Sequence, residues 1–120
     1  YHVATKEDHI APPQSAYRGA KLLGSKDETF VLAGSGHIAG VVNPPDAKKY
    51  QFWTRKGTAA PDLESWAREA EETPGSWWPH WDGWLKKRSG GQIPARTPGA
   101  TLGVIEPAPG SYVKVRFDKR

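Results

Sequence analysis

Two residue types are missing altogether: the 120 residues contain no Cys and no Met. Without Cys there is no disulfide, no thiolate metal site and no cysteine nucleophile within these residues. Without Met, Tyr1 is expected to follow a processing cut or to lie inside a longer chain. Long apolar runs are missing too. None approaches the ~20 residues a membrane span requires, and no signal-peptide pattern is present. At 120 residues this is one domain's worth of chain at most. A cytoplasmic setting fits the lack of Cys.

Charge is present in both signs. Lys and Arg number 17 against 13 Asp and Glu, a net +4. Such an excess suits an anionic partner when it is clustered. Here the basic residues are scattered, and only Lys86-Lys87-Arg88 is contiguous. That triplet falls where a helix should end, where cations suit the helix dipole. No nucleic-acid partner is expected. Six Trp and 11 Pro are both high for this length and fit an irregular chain draped over a core.

The first 45 residues read as strand, helix, strand. Residues 1–4 form the tail of a short strand, and Thr5-Lys6-Glu7-Asp8 is the polar loop after it. Pro12 and Pro13 mark the next boundary, and the spacing predicts a helix from Gln14 to Leu23 with Ala16, Tyr17, Ala20 and Leu23 on one face. Gly24 stops it. Thr29-Phe30-Val31-Leu32-Ala33 is a continuous apolar run of the kind buried on both faces of a parallel sheet. A helix between two strands is the parallel crossover unit. Functional residues in open α/β sheets sit on loops at the carboxyl ends of strands, which is where Asp8 and His37 fall.

Residues 46–120 read as a Trp-rich helical and irregular region. One helix is expected over 62–72, with Leu63, Trp66, Ala67 and Ala70 in a stripe. A second is expected with Ser76 as its cap, Pro79 in its first turn and Trp77, Trp81, Trp84 and Leu85 on one face. At helical spacing such a stripe reads as core rather than as a binding platform. Residues 89–110 wander, and 112–117 alternate weakly, as an edge strand does.

Several chemistries compete for Gly34-Ser35-Gly36-His37-Ile38-Ala39-Gly40. A dinucleotide fingerprint, Gly34-x-Gly36-x-x-Ala39, needs a long helix to follow, and Asn43-Pro44-Pro45 interrupts it. A serine nucleophile needs Gly-x-Ser-x-Gly, whereas Ser35 has Gly on both immediate sides. A third reading makes His37 the base of a triad, with Asp8 as its orienting carboxylate. In α/β-hydrolases the chain order is nucleophile, Asp, His, and the Asp8-to-His37 spacing leaves room for one crossover helix. In the fourth reading His37 is a plain loop residue. Spacing alone leaves the third and fourth level. His2, His9 and His80 show no metal-ligand spacing.

The words themselves carry more. Phe30-Val31-Leu32-Ala33-Gly34-Ser35-Gly36-His37-Ile38-Ala39-Gly40-Val41-Val42-Asn43-Pro44-Pro45 resembles the histidine-loop signature of poly(3-hydroxyalkanoate) polymerases. Glu7-Asp8-His9-Ile10 resembles the family's aspartate loop, and Gly75-Ser76-Trp77-Trp78-Pro79 its tryptophan-rich segment. Ala108-Pro109-Gly110-Ser111-Tyr112-Val113-Lys114 resembles its C-terminal ending. These segments run in order along nearly the whole chain and look most like the class I type. One departure is Pro13, where the family has Trp after the first Pro of the aspartate loop.

The resemblance implies an α/β fold, the C-terminal part of an α/β-hydrolase catalytic domain. It implies condensation of (R)-3-hydroxyacyl-CoA into polyester with release of CoA, through a cysteine upstream of Tyr1. His37 would be the general base and Asp8 its partner. Acyl-CoA is then a substrate, and no cofactor is expected. The implied partners are acyl-CoA, the growing polyester, the remainder of the same polypeptide and a second copy in a homodimer at the polyester granule surface. The segment alone is expected to be inactive for want of a nucleophile, and loose or self-associated through unpaired strand edges. Two other readings are an esterase or depolymerase with an upstream Ser, and a non-catalytic Trp-rich binding module indifferent to His37.

Overall fold

The structure, a computed structural model, describes residues 1–117. The chain divides into two compact units, Tyr1–Ser89 and one that begins at Gly90. The first unit holds four strands, three α-helices and a short 3₁₀ helix at Pro45–Ala47: β1 (His2–Thr5), α1 (Pro13–Lys21), β2 (Thr29–Ala33), β3 (Gln51–Lys56), α2 (Leu63–Arg68), β4 (Glu71–Pro74) and α3 (Trp78–Lys86). No helix among the described residues is long and apolar enough to cross a membrane.

The strands form one sheet in the order β1-β2-β3-β4. β1 and β2 run parallel, as the crossover helix between them requires, and the other two pairs are antiparallel. The apolar run of β2 lies inside the sheet and is covered on both faces. Side chains alternate across a strand, so Phe30 and Leu32 enter one core with Ala4, Tyr17, Ala20, Trp53 and Trp66. Val31 and Ala33 enter another with Phe52 and Trp77. In the first core Phe30 meets the edges of Tyr17 and Trp66, both at 5.1 Å between ring centres. Tyr17 and Trp66 keep their polar tips bonded, the phenol to the carbonyls of Thr58 and Ala60 and the indole to that of Gly57.

The helices start where their sequences permit. Pro12 is extended and Pro13 opens α1, a position that needs no amide donor. Asp62 caps α2 by accepting from Ser65 N at 2.7 Å. Helix α3 begins at Trp78 with Trp77, not the expected Ser76, at its N-cap; Ser76 Oγ lies one residue earlier and accepts from Trp78 N at 3.1 Å, and Pro79 stands in the first turn.

Several expectations need correction. Helix α1 ends at Lys21 rather than Leu23, and Leu23 points to solvent instead of completing the apolar face. The helix expected over 62–72 stops at Arg68, and Glu71–Pro74 turns into strand β4. Strand β3 falls in a region expected to be helical or irregular. Phe52 and Trp53 occupy opposite faces and both are buried, so β3 shows no period of two. β4 is a short edge strand with Glu71, Glu72 and Pro74, residues that protect an edge and hide it from pattern reading. In the tryptophan stripe Trp77 is buried but Trp81 is 40% exposed, so the stripe is core only at its start. In the second unit, residues 112–117 form no strand; Ser111–Lys114 is a short 3₁₀ helix and the side chains from Tyr112 to Phe117 are exposed.

Candidate active site

The parallel register places Thr5 beside Ala33, so β1 and β2 end at the same level. Pairing continues past both ends. Lys6 N donates to Ala33 O at 2.8 Å and Glu7 N to Ser35 O at 3.0 Å. The loops after the two strands are therefore held side by side, and residues 29 positions apart meet. Asp8 Oδ2 lies 2.8 Å from His37 Nδ1.

Each partner is fixed by its own loop. Asp8 folds the backbone around itself: Oδ1 accepts from Ile10 N at 2.9 Å and from Ala11 N at 2.8 Å, the local turn that Asp side chains favour. Oδ2 accepts from Thr5 Oγ1 at 3.0 Å as well as from His37. The backbone N–H of Ala11, foremost, with the bonds from His37, Ile10 and Thr5, outweighs desolvation and holds the Asp8 carboxyl well below the usual carboxylate range. On the other side, Ser35 adopts φ 71° between two glycines, a left-handed turn that aims the chain back across the sheet end. Gly40 packs so closely that a β-carbon there would stand 2.5 Å from Thr5 Cγ2 and 2.6 Å from Gly34 O. Only glycine lets the histidine loop settle against β1.

The two side chains differ in exposure, Asp8 at 7% and His37 at 44%. A carboxylate that accepts from Nδ1–H fixes the imidazole tautomer and leaves the Nε2 lone pair free to take a proton. No described residue hydrogen-bonds that nitrogen. The arrangement sets a largely shielded carboxylate against an accessible imidazole.

Both residues singled out from the sequence, Asp8 and His37, are thus brought together. Ser35 is a turn residue. The dinucleotide reading fails on geometry, since residues 36–42 form tight turns (Gly40 N to Gly36 O, Val42 N to Ile38 O) and, among the described residues, no α-helix follows the glycines before β3. His9 is exposed on the aspartate loop, and His80 bonds the Tyr1 hydroxyl at 2.7 Å on the α3 face. No cluster of metal-ligating side chains occurs among the described residues. Thr5 is the member that sequence reasoning misses. Its polar neighbours Lys6, Glu7 and Asp8 suggest the start of a loop, but it is the last residue of β1, 1% exposed, with its hydroxyl on Asp8. The available signal is a hydroxyl residue three positions before the carboxylate.

Fold and site together define an α/β unit with a histidine–carboxylate pair on neighbouring strand loops. No protein-family model matches the chain. The poly(3-hydroxyalkanoate) polymerase subunit PhaC of Rhizobium meliloti is 57% identical over 116 residues, 97% of this chain and 19% of that protein. The poly(3-hydroxyalkanoate) polymerase of Methylorubrum extorquens is 49% identical over 118 residues, and the PhaC subunit of Cupriavidus necator 44% over 119. The chain spans about a fifth of the length of these relatives. It is homologous to a C-terminal part of poly(3-hydroxyalkanoate) polymerases.

Proposed function

We propose that this chain is part of a polyhydroxyalkanoate synthase and supplies the acid–base half of its catalytic triad. The contact between His37 Nδ1 and Asp8 Oδ2 carries the reading. His37 Nε2 takes the proton of an upstream cysteine thiol, because the thiolate is the nucleophile. The thiolate attacks the thioester carbon of (R)-3-hydroxyacyl-CoA. An enzyme thioester forms, the carbon–sulfur bond to CoA breaks, and the proton held on His37 leaves with CoA. The same base then accepts the proton of a 3-hydroxyl as that oxygen attacks an acyl thioester; the carbon–sulfur bond breaks, the departing thiolate takes the proton back from His37, and the polyester is one ester unit longer. Asp8 stabilises the imidazolium in each step. The low exposure of Asp8 and its four accepted hydrogen bonds support that role, since an oriented carboxylate loses little on reorganisation.

The reading extends the partners to acyl-CoA, the growing polyester, the remainder of the polypeptide and a second copy, at the granule surface in the cytoplasm. The test is CoA release by the full-length protein with His37→Gln and Asp8→Asn. His37→Gln should abolish turnover, and Asp8→Asn should lower it by about 10⁴, as in other triads that lose the orienting anion. Turnover retained by His37→Gln would sink the reading.

A further inference from the structure

The catalytic reading leaves the tryptophan-rich segment without a role. Its first two indoles reach back to the histidine loop. Trp77, buried just before α3, donates Nε1–H to the carbonyl of Gly40 at 3.1 Å. Trp78, the first residue of α3, donates Nε1–H to the carbonyl of Val41 at 2.9 Å. Consecutive residues at the start of one helix thus hold consecutive carbonyls of the loop that carries His37.

Backbone pairing, Glu7 N to Ser35 O and Gly34 N to Gln51 O, anchors the start of the loop, and Gly40 N to Gly36 O and Val42 N to Ile38 O shape its turn. Two further sets of contacts seat the turn itself. Gly40 lies against the Thr5 methyl group on one side, and Thr5 holds Asp8. The two indoles hold the carbonyls of Gly40 and Val41. Trp77 is itself fixed in the core, packed with Val31, Ala33 and Phe52. Trp81 donates no hydrogen bond to the loop among the described residues.

We infer that Trp77 and Trp78 form a two-indole clamp that seats the Gly40–Val41 turn on β1 and so sets the distance of His37 from Asp8. Both are positioning residues, and the inference rests on His37 being the base proposed above. A buried N–H···O bond that holds a loop contributes to kcat when the loop carries a base, because misplacement by a fraction of an ångström weakens the reacting geometry. It leaves substrate affinity alone.

The experiment uses the full-length protein and follows CoA release from acyl-CoA, with thermal melts beside it. Trp77→Phe and Trp78→Phe keep an aromatic ring and delete the donor. Each should lower kcat by roughly three- to tenfold, the effect of one net hydrogen bond, with KM held within about twofold. Trp81→Phe should leave both constants unchanged. Trp78 is partly exposed, so its variant folds even if Trp77→Phe does not, and it then decides the matter. Wild-type kcat in Trp78→Phe, a rise in KM at steady kcat, or an equal loss in Trp81→Phe would each overturn the clamp. His37→Gln separates the two ideas. If it is inactive while Trp78→Phe is fully active, the clamp alone fails; if it is active, both fail.

Discussion

Replacing Gly40 by Ala tests the coupling of fold to site. The added methyl carbon would stand 2.5 Å from Thr5 Cγ2, 2.6 Å from Gly34 O and 2.9 Å from Gly36 O. Carbon atoms pack at about 3.5–4.0 Å, so Thr5 and residue 40 must part by roughly 1 Å. Two of the three obstacles are backbone, which cannot rotate away. Overpacking costs about 1–3 kcal/mol, and here the upper half of that range applies. Gly40 lies outside the left-handed region, so Ala adds no backbone strain and regains about 0.4–1 kcal/mol from the unfolded state. The net destabilisation is about 2 kcal/mol. Parting Thr5 from the loop also shifts Asp8 against His37, and a misplacement of about 1 Å lowers turnover by roughly 100-fold. Thermal melts and CoA release of the full-length variant measure both. A Gly40→Ala protein with wild-type melting and wild-type turnover would refute the close packing on which the site is built. Lost stability with full turnover would refute the coupling alone.

Two further outcomes follow from the same structure. Gly83 lies inside α3, where an added methyl group would meet no heavy atom within 4 Å; Gly83→Ala should therefore raise stability by about 0.8–1.0 kcal/mol, read as a higher melting midpoint, and a lower one would mean that this helix face packs on something. His80 is held below its ordinary pKa of 6.5 by burial first and by the Lys87 charge second. The unfolded chain then binds the proton more readily, so this contribution is complete above pH 6.5 and declines as pH falls below it. His80→Gln should flatten the fall in melting temperature as pH drops below 6.5, and an unchanged slope would exclude His80 as its source.

The site is more legible in the sequence than the sheet around it. Asp8 and His37 stand out because each follows a strand of the parallel pair, and a loop at a strand's carboxyl end is a place rather than a pattern. β2 is legible because a strand covered on both faces is apolar throughout, and Phe30 to Ala33 are all buried. β3 and β4 escape such reading. β3 mixes Phe52 and Trp53 with Thr54, Arg55 and Lys56, and β4 is polar because it forms the edge. Their strand character comes from pairing with β2 and with each other, which no local propensity encodes.

The sequence by itself determined the parallel crossover unit, the helix starts near Pro13 and Asp62, and the two strand-end loops that carry Asp8 and His37. These follow from short-range constraints: proline geometry, capping and the burial period of a strand. Only the tertiary structure decided that Asp8 and His37 touch at 2.8 Å, that Thr5 supports the carboxylate, and that the indoles of Trp77 and Trp78 hold the turn behind His37. Each of these contacts joins residues from different loops or elements. The register of β1 on β2 and the close approach at Gly40 bring them together, and both exist only once the sheet has formed.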